Sequence, residues 1–573
     1  MAGGFRTNII FIFFFVFSIT VGARLFYWQV ISGTKLTKEA ENQHWASYEI
    51  PAQRGKILAS DGFPLVSNEQ AYLVFASPLD IKIPPKTAAK LLAPFIVPDG
   101  LIDTDFQKKT EDMILERLSR ADLNWIPLKH KVPDDIKDKI EALKLDGIGF
   151  EDEARRSYPE GSSSSQLLGF VGADYYGQDM GYFGLEGYYN LELKGRSGIL
   201  RREKDASGRP ILVGLSEGEA PKDGRDLVTT IDRSVQYIID KKLKKGVWQY
   251  GAVSGLVVVL NPKTGAVLGI ASQPSYDSAN YMYYDKSSYP NPAIAMSYEP
   301  GSTFKVLIMA AAINEHLVNA DTVCDQCSGP RTISDYTIKT WNDKYYPQST
   351  MTQVIQHSDN VGMVFVSDKL GKEMLVSYIQ KFGFGKPTGV DLEEESSPLL
   401  RADNDWKQID LATASFGQGI AVTPLQMVRA VSTIANGGKL MKPYVVKKVL
   451  GPEGTTEILP KAQTNVISPA TAAVITEIMV NAVDMGESKW AKPKGYRIAG
   501  KTGTAQIPVA GHYDNEKTIA SFVGFAPADD PQFAMLVILR EPATSQWGSE
   551  TAAPLWFDIS KDLFDYYGIS PSE

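Results

Sequence analysis

Histidine and cysteine are scarce: five and two in 573 residues. So few histidines exclude a multi-histidine metal centre, and two cysteines cannot build a disulfide framework. Positive charge is not in excess either. The formal net charge is −8, which argues against a broadly basic face for nucleic acid. Beyond roughly the first thirty residues no apolar run is long enough to cross a bilayer, which excludes a polytopic membrane protein. What remains is ordinary for folded domains: 43% hydrophobic and 22% charged residues. The length suits about three or four domains of ~150 residues.

Residues 7–23 carry no charge and are mostly Ile, Phe and Val. As a helix, Ile9–Ile31 would be about 35 Å long, enough to cross a hydrocarbon core. Arg24 can snorkel to the interface beside Tyr27 and Trp28. An uncleaved signal anchor is expected, rather than a signal peptide cleaved after Val21-Gly22-Ala23. Arg6 favours a cytoplasmic N-terminus, which places the remaining chain outside the membrane.

From about residue 35 to 250 the chain is irregular, with loops at Pro84-Pro85, Ser162–Ser165 and Gly181–Gly187. Tyr72–Ala76 reads as a strand; Asp103–Arg120 and Asp134–Leu143 read as helices. There is no internal repeat. Later the pattern tightens. Val253–Leu260 and Ala266–Ser272 predict one hairpin, Thr518–Phe525 and Phe533–Leu539 another. Between them Phe304–Asn314, Met351–Leu370 and Pro424–Asn436 predict helices, and Leu555–Tyr567 a covering helix. This order predicts one α+β domain with a single sheet.

Three short motifs carry the chemistry. Ser302-Thr-Phe-Lys305 opens a helix, where positions i and i+3 are neighbours and a desolvated lysine can take the serine proton. Ser358-Asp359-Asn360 offers a hydroxyl and an amide, although local capping is the bland alternative. Lys501-Thr502-Gly503-Thr504 offers a cation and hydroxyls for a carboxylate, with a glycine where another backbone can approach. Each is weak alone: Ser32-Gly-Thr-Lys35 and Lys263-Thr-Gly265 repeat two of them. Lys263-Thr-Gly265 precedes Ser358, so only Lys501 completes the order that Ser302 and Ser358 begin. That ordered conjunction is the signature of penicillin-binding proteins and class A β-lactamases.

Other motifs are set aside. Gly495-Tyr-Arg-Ile-Ala-Gly-Lys-Thr502 fits a phosphate-loop pattern but lacks the apolar strand before it and the helix after it. Cys324-Asp-Gln-Cys327 has only His316 nearby as a further zinc ligand, so a local disulfide is expected, with free structural thiols as the alternative. Asp391–Glu395 reads as a solvated loop, and His357 as structural.

Together these features resemble a class B penicillin-binding protein, a monofunctional peptidoglycan D,D-transpeptidase, over nearly the whole chain. Arg54-Gly-Lys-Ile-Leu-Ala-Ser-Asp-Gly62 is similar to the family's first pedestal motif, with Ala59-Ser60 replacing its usual Asp-Arg pair. Arg156-Ser-Tyr-Pro159, Gly184-Leu-Glu-Gly187 and Asp226–Asp232 match later pedestal motifs. Phe416-Gly-Gln-Gly419 and Thr423-Pro-Leu-Gln426 match segments that flank the family's active site. No upstream segment resembles the glycosyltransferase domain of class A proteins.

The resemblance implies a serine β-lactamase-like transpeptidase domain, an antiparallel sheet with helices on both faces, at 251–573. It implies an elongated β-rich pedestal of dimerisation type at 32–250, a transmembrane helix at 9–31 and a cytoplasmic tail at 1–8. It also implies Ser302 as nucleophile, Lys305 as base, Ser358 as proton relay and Asn360 as a stem-peptide ligand. Lys501, Thr502, Gly503 and Thr504 would bind the terminal carboxylate, and the amides of Ser302 and Thr504 would form the oxyanion hole. The implied partners are stem peptides, β-lactams and a membrane glycosyltransferase of the shape, elongation, division and sporulation (SEDS) class in the inner membrane. No cofactor, metal or nucleic acid is expected. Gly169-Phe-Val-Gly172 and Asp205-Ala-Ser-Gly208 look more like division than elongation proteins. A carboxypeptidase or β-lactamase-type hydrolase, and a non-catalytic β-lactam sensor or scaffold, remain the alternatives.

Overall fold

The structure, a computed structural model, describes residues 3–97, 104–120, 122–203, 216–509 and 512–571. The chain divides into two compact units. One unit holds residues 1–54 and 194–224. Its helix Gly3–Phe26 runs on through a π-helical turn, Tyr27–Ile31, into Gly33–His44. Gly4–Ile31 is the one stretch among the described residues long and apolar enough to cross a membrane. The Arg24 guanidinium lies 5.3 Å from the Trp28 ring centroid. A three-stranded antiparallel sheet of Trp45–Ile50, Gly198–Glu203 and Ser216–Glu219 completes this unit. Asp205–Gly208, half of the division-type resemblance, lies outside the described residues.

The other unit holds residues 55–193 and 225–573. Its central sheet has five strands: β1 (Ser254–Leu260), β2 (Val267–Gln273), β3 (Ala499–Val509), β4 (His512–Ala526) and β5 (Phe533–Arg540). Their order is β2-β1-β5-β4-β3, with every pairing antiparallel. Seven helices matter below: α1 (Arg233–Tyr250), α2 (Lys305–Asn314), α3 (Met351–Gln356), α4 (Asn360–Lys381), α5 (Pro424–Ala435), α6 (Pro469–Asp484) and α7 (Ala552–Tyr567).

Strand β1 shows why this sheet is covered on both faces. Leu256, Val258 and Leu260 enter the core built around α2 and α5, while Val257 and Val259 enter the core under α1 and α7. Side chains alternate across a strand, so a run of valines feeds both layers. Helix α2 is buried on all sides from Lys305 to Ile313, as a helix apolar all round must be. Helix α1 precedes residue 250, yet its Val235, Ile239 and Leu243 belong to the sheet's outer core.

The helix predicted over Met351–Leu370 is two helices. Helix α3 stops at His357, Ser358 adopts φ +55°, and Asp359 starts α4 by accepting from Val361 and Gly362 N–H at 2.8 and 3.2 Å. An apolar periodicity continues across this break, but an N-capping aspartate restarts the helix.

The pedestal motifs converge on one buried ion pair. Arg156 (8% exposed) meets Glu186 (0%) at 2.8 Å, and its remaining donors reach Asn68 Oδ1 and the Gly55 carbonyl, both at 2.7 Å. Ala59 is buried in the apolar core instead of carrying a charge. The acidic run at 391–395 is not the solvated loop expected. Asp391 accepts from Val445 and Val446 N–H and from the Tyr189 hydroxyl, at 2.6, 2.8 and 2.8 Å. Glu393 accepts from Phe183 N–H at 2.6 Å. Glu395 accepts from the N–H groups of Thr388 and Gly389. These carboxylates satisfy backbone donors that would otherwise be buried without partners.

Removing one partner of the buried pair strands the other charge. Arg156→Ala is expected to cost about 3–5 kcal/mol, read as a lower thermal midpoint of the full chain in detergent. Arg156→Met with Glu186→Leu removes both charges and is expected to melt above either single truncation. A double variant melting below both singles would contradict the pair's role.

Candidate active site

Ser302 lies on a 3₁₀ turn, Gly301–Phe304, that runs directly into α2. The turn is fixed by close backbone packing on two sides. Gly301 N–H donates to the Gly417 carbonyl at 3.0 Å, and a Cβ on Gly417 would stand 2.1 Å from the Gly301 oxygen. On the other side lies β3, the sheet's edge strand. A Cβ on Gly503 would meet Ser521 Oγ at 2.5 Å, Thr303 Cγ2 at 2.8 Å and the Pro300 oxygen at 3.1 Å. Glycine at 503 is what lets the edge strand touch the serine turn. The segment Thr423–Gln426 is the capping box of α5, and Val422 just before it exchanges backbone hydrogen bonds with Tyr298 at 2.9 and 3.0 Å.

One turn beyond Ser302, Lys305 is wholly buried. Its Nζ donates to the Ser358 carbonyl at 2.6 Å and to Asn360 Oδ1 at 2.7 Å, and lies 3.3 Å from Ser358 Oγ. A neutral amine has two N–H donors and a lone pair, whereas an ammonium has three donors and none. Three oxygens thus lie within hydrogen-bond reach of Lys305 Nζ, and the count alone fits either form. Asn360 is held in turn by donating Nδ2–H to the Lys339 carbonyl at 2.9 Å. The helix break supplies this geometry: positive φ at Ser358 lets its carbonyl and hydroxyl both face the lysine.

The electrostatics separate the two lysines. Burial, then the positive charge of Lys501, drives the Lys305 amine well below the usual lysine range, against the pull of Asp359 and Glu487. Lys501 is 4% exposed, and burial brings it down to about 8, with Glu487 opposing. Its Nζ donates to the Thr502 carbonyl and hydroxyl, both at 3.2 Å. Asp359 is pushed up by burial, opposed by its two capped N–H groups and Lys305. Burial thus lowers both amines, and the charge of Lys501 further disfavours a second cation at Lys305.

Residues 255–563 match the family described as Penicillin binding protein transpeptidase domain, and residues 49–229 match Penicillin-binding Protein dimerisation domain. The chain is 34% identical to Stage V sporulation protein D of Bacillus subtilis over 99% of this chain and 86% of that protein. It is 30% identical to Peptidoglycan D,D-transpeptidase FtsI of Escherichia coli K12 over 96% of this chain and 89% of that protein. A peptidoglycan synthetase from Bifidobacterium adolescentis has the same fold, with TM-score 0.72 and 27% identity over 92% of this chain and 98% of that one. The chain belongs to the class B penicillin-binding proteins.

In this penicillin-binding protein the sequence motifs meet as follows. Lys305, Ser358 and Asn360 form one hydrogen-bonded group. Lys501 acts on Lys305 through its charge, and Gly503 packs against the Ser302 turn. Thr504 Oγ1 accepts from Gly548 N–H at 3.0 Å. Among the described residues no hydrogen bond joins the Ser302 hydroxyl to Lys305. Cys324 and Cys327 form a disulfide. His357 stacks on Tyr346 at 3.9 Å. The motifs did not point to the Lys339 carbonyl or to Glu487, an exposed carboxylate just past α6 whose charge acts on both lysines. Neither carries a sequence signal, since one acts through its backbone and the other is one acid in a charged segment.

Gly503→Ala is expected to push β3 off the serine turn and slow labelling by a fluorescent penicillin by about a hundredfold. The thermal midpoint should change far less. Labelling at the wild-type rate would show that this close approach is not needed.

Proposed function

We propose that the protein is a peptidoglycan D,D-transpeptidase, target of β-lactams, that works through an acyl-enzyme on Ser302. The observation that carries this reading is the buried Lys305 amine, one turn from Ser302 and hydrogen-bonded to Ser358 and Asn360. The Ser302 oxygen attacks the carbonyl before the terminal D-Ala of one stem peptide. Its proton passes to Lys305 and is relayed through Ser358 to the leaving amine as the peptide C–N bond breaks, which returns Lys305 and Ser358 to their starting states. The amine of a neighbouring stem then attacks the ester and loses a proton to Lys305, which delivers it to the Ser302 oxygen as the ester C–O bond breaks. Each backbone amide of Ser302 and Thr504 aimed at the oxyanion contributes about 3–4 kcal/mol to lowering the barrier. Lys501, with Thr502 and Thr504, holds the terminal carboxylate, and Asn360 holds the donor stem. Splitting acyl transfer into two steps lowers each barrier.

The helix within Gly4–Ile31 anchors the protein once in the cytoplasmic (inner) membrane, with both the pedestal (32–250) and the transpeptidase domain (251–573) outside. Its partner is a SEDS-type glycosyltransferase reached through anchor and pedestal. The pedestal phrase Gly169–Gly172 supports septal rather than lateral wall synthesis.

A fluorescent penicillin is expected to label the protein stably and Ser302→Ala to abolish the label. Persistent labelling of that variant would overturn the assignment. With stem peptides supplied, crosslinked dimers are the expected product. Release of free tetrapeptide alone would make the enzyme a carboxypeptidase, and rapid turnover of the drug a β-lactamase.

A further inference from the structure

Two loops meet across the mouth of this site. The first runs from the short strand Tyr336–Ile338 to α3 and carries Trp341. Its start is tied to the site by the Lys339 carbonyl, which accepts from Asn360. Its far end is tied by Tyr346, stacked on His357 next to Ser358. The second loop, between β5 and α7, carries Trp547. Gly548 N–H donates to Thr504 Oγ1, and a Cβ on Gly548 would stand 2.3 Å from the Gly503 oxygen, so this loop lies directly on the edge strand. The first loop therefore belongs to the helical wall and the second to the sheet wall. Their indole rings touch edge to face, with centroids 5.0 Å apart and planes at 61°. Trp341 remains 42% exposed, so the pair is a surface bridge and not part of the core.

We propose that Trp341 and Trp547 form a clasp over the acylation site that selects acyl donors by bulk. This rests on the reading of Ser302 as the acylated group. One aromatic contact is weak enough to part and re-form readily. A slim donor passes beneath the closed rings. A donor with a wide side branch enters only when the rings separate, and its acylation rate carries the cost of breaking them. Each ring sits one or two residues from a contact to Asn360 or Thr504, so parting the clasp also loosens the groups that grip the donor.

Second-order acylation rates with benzylpenicillin and with a cephalosporin bearing a branched oxime side chain test this. Trp341→Ala and Trp547→Ala are each expected to raise the cephalosporin-to-penicillin rate ratio roughly three- to tenfold. The double variant should show the ratio of either single one, because each removes the same contact. Trp341→Phe keeps an edge-to-face partner and should retain the wild-type ratio, which separates ring loss from misfolding. An unchanged ratio, a parallel fall with both drugs, or single effects that multiply in the double variant would each overturn the clasp. Failure of the underlying reading shows separately, as labelling that survives Ser302→Ala.

Discussion

A lysine amine with no exposed surface is costly as a cation, and the arrangement around Lys305 converts that cost into chemistry. Desolvation and a second lysine both disfavour its charge. The Ser358 carbonyl and hydroxyl and Asn360 Oδ1 then accept from it and fix its position. A desolvated, oriented lysine one helical turn from Ser302 is the condition on which the rest of the site depends.

Much of the surrounding fold serves to keep that amine dry and in place. Helix α2 is apolar all round, which seals the lysine in the core. The break between α3 and α4 turns Ser358 and Asn360 toward it, with Asp359 holding the new helix start. Gly417 and Gly503 admit backbone from both sides, so the serine turn is wedged against the edge strand and has little freedom to drift. Lys501, on that strand, is brought down to about 8 by burial, and its charge in turn lowers the Lys305 amine. The chain just past the strand Tyr336–Ile338 reaches the same site through the Lys339 carbonyl.

Patterned features were legible in the sequence. The two hairpins, the buried α2, the N-terminal apolar helix and the three motifs rest on periodicity or on residue types with few alternative uses. What stayed hidden acts through backbone or through burial. The predicted helix over Met351–Leu370 ran across its break because apolar spacing continues through His357–Asp359, where one left-handed serine and one capping aspartate decide the geometry. The acidic run at 391–395 looked solvated because acidic residues usually are. Its role came from orphaned N–H groups of residues far away in sequence, such as Phe183 and Val445. The Arg156–Glu186 pair was foreshadowed by motifs, but not that both would be buried together.

The claim that burial and Lys501 hold the Lys305 amine far below the ordinary lysine range is tested most directly by titrating the lysine side-chain nitrogens by NMR. The sample is the full chain in detergent, labelled with ¹⁵N-lysine, with signals assigned through Lys305→Gln and Lys501→Gln. Lys305 is expected to lose its proton well below 10.5, the ordinary lysine value, and Lys501 to lose its proton near pH 8. A Lys305 signal that stays charged until near that ordinary value would contradict the account.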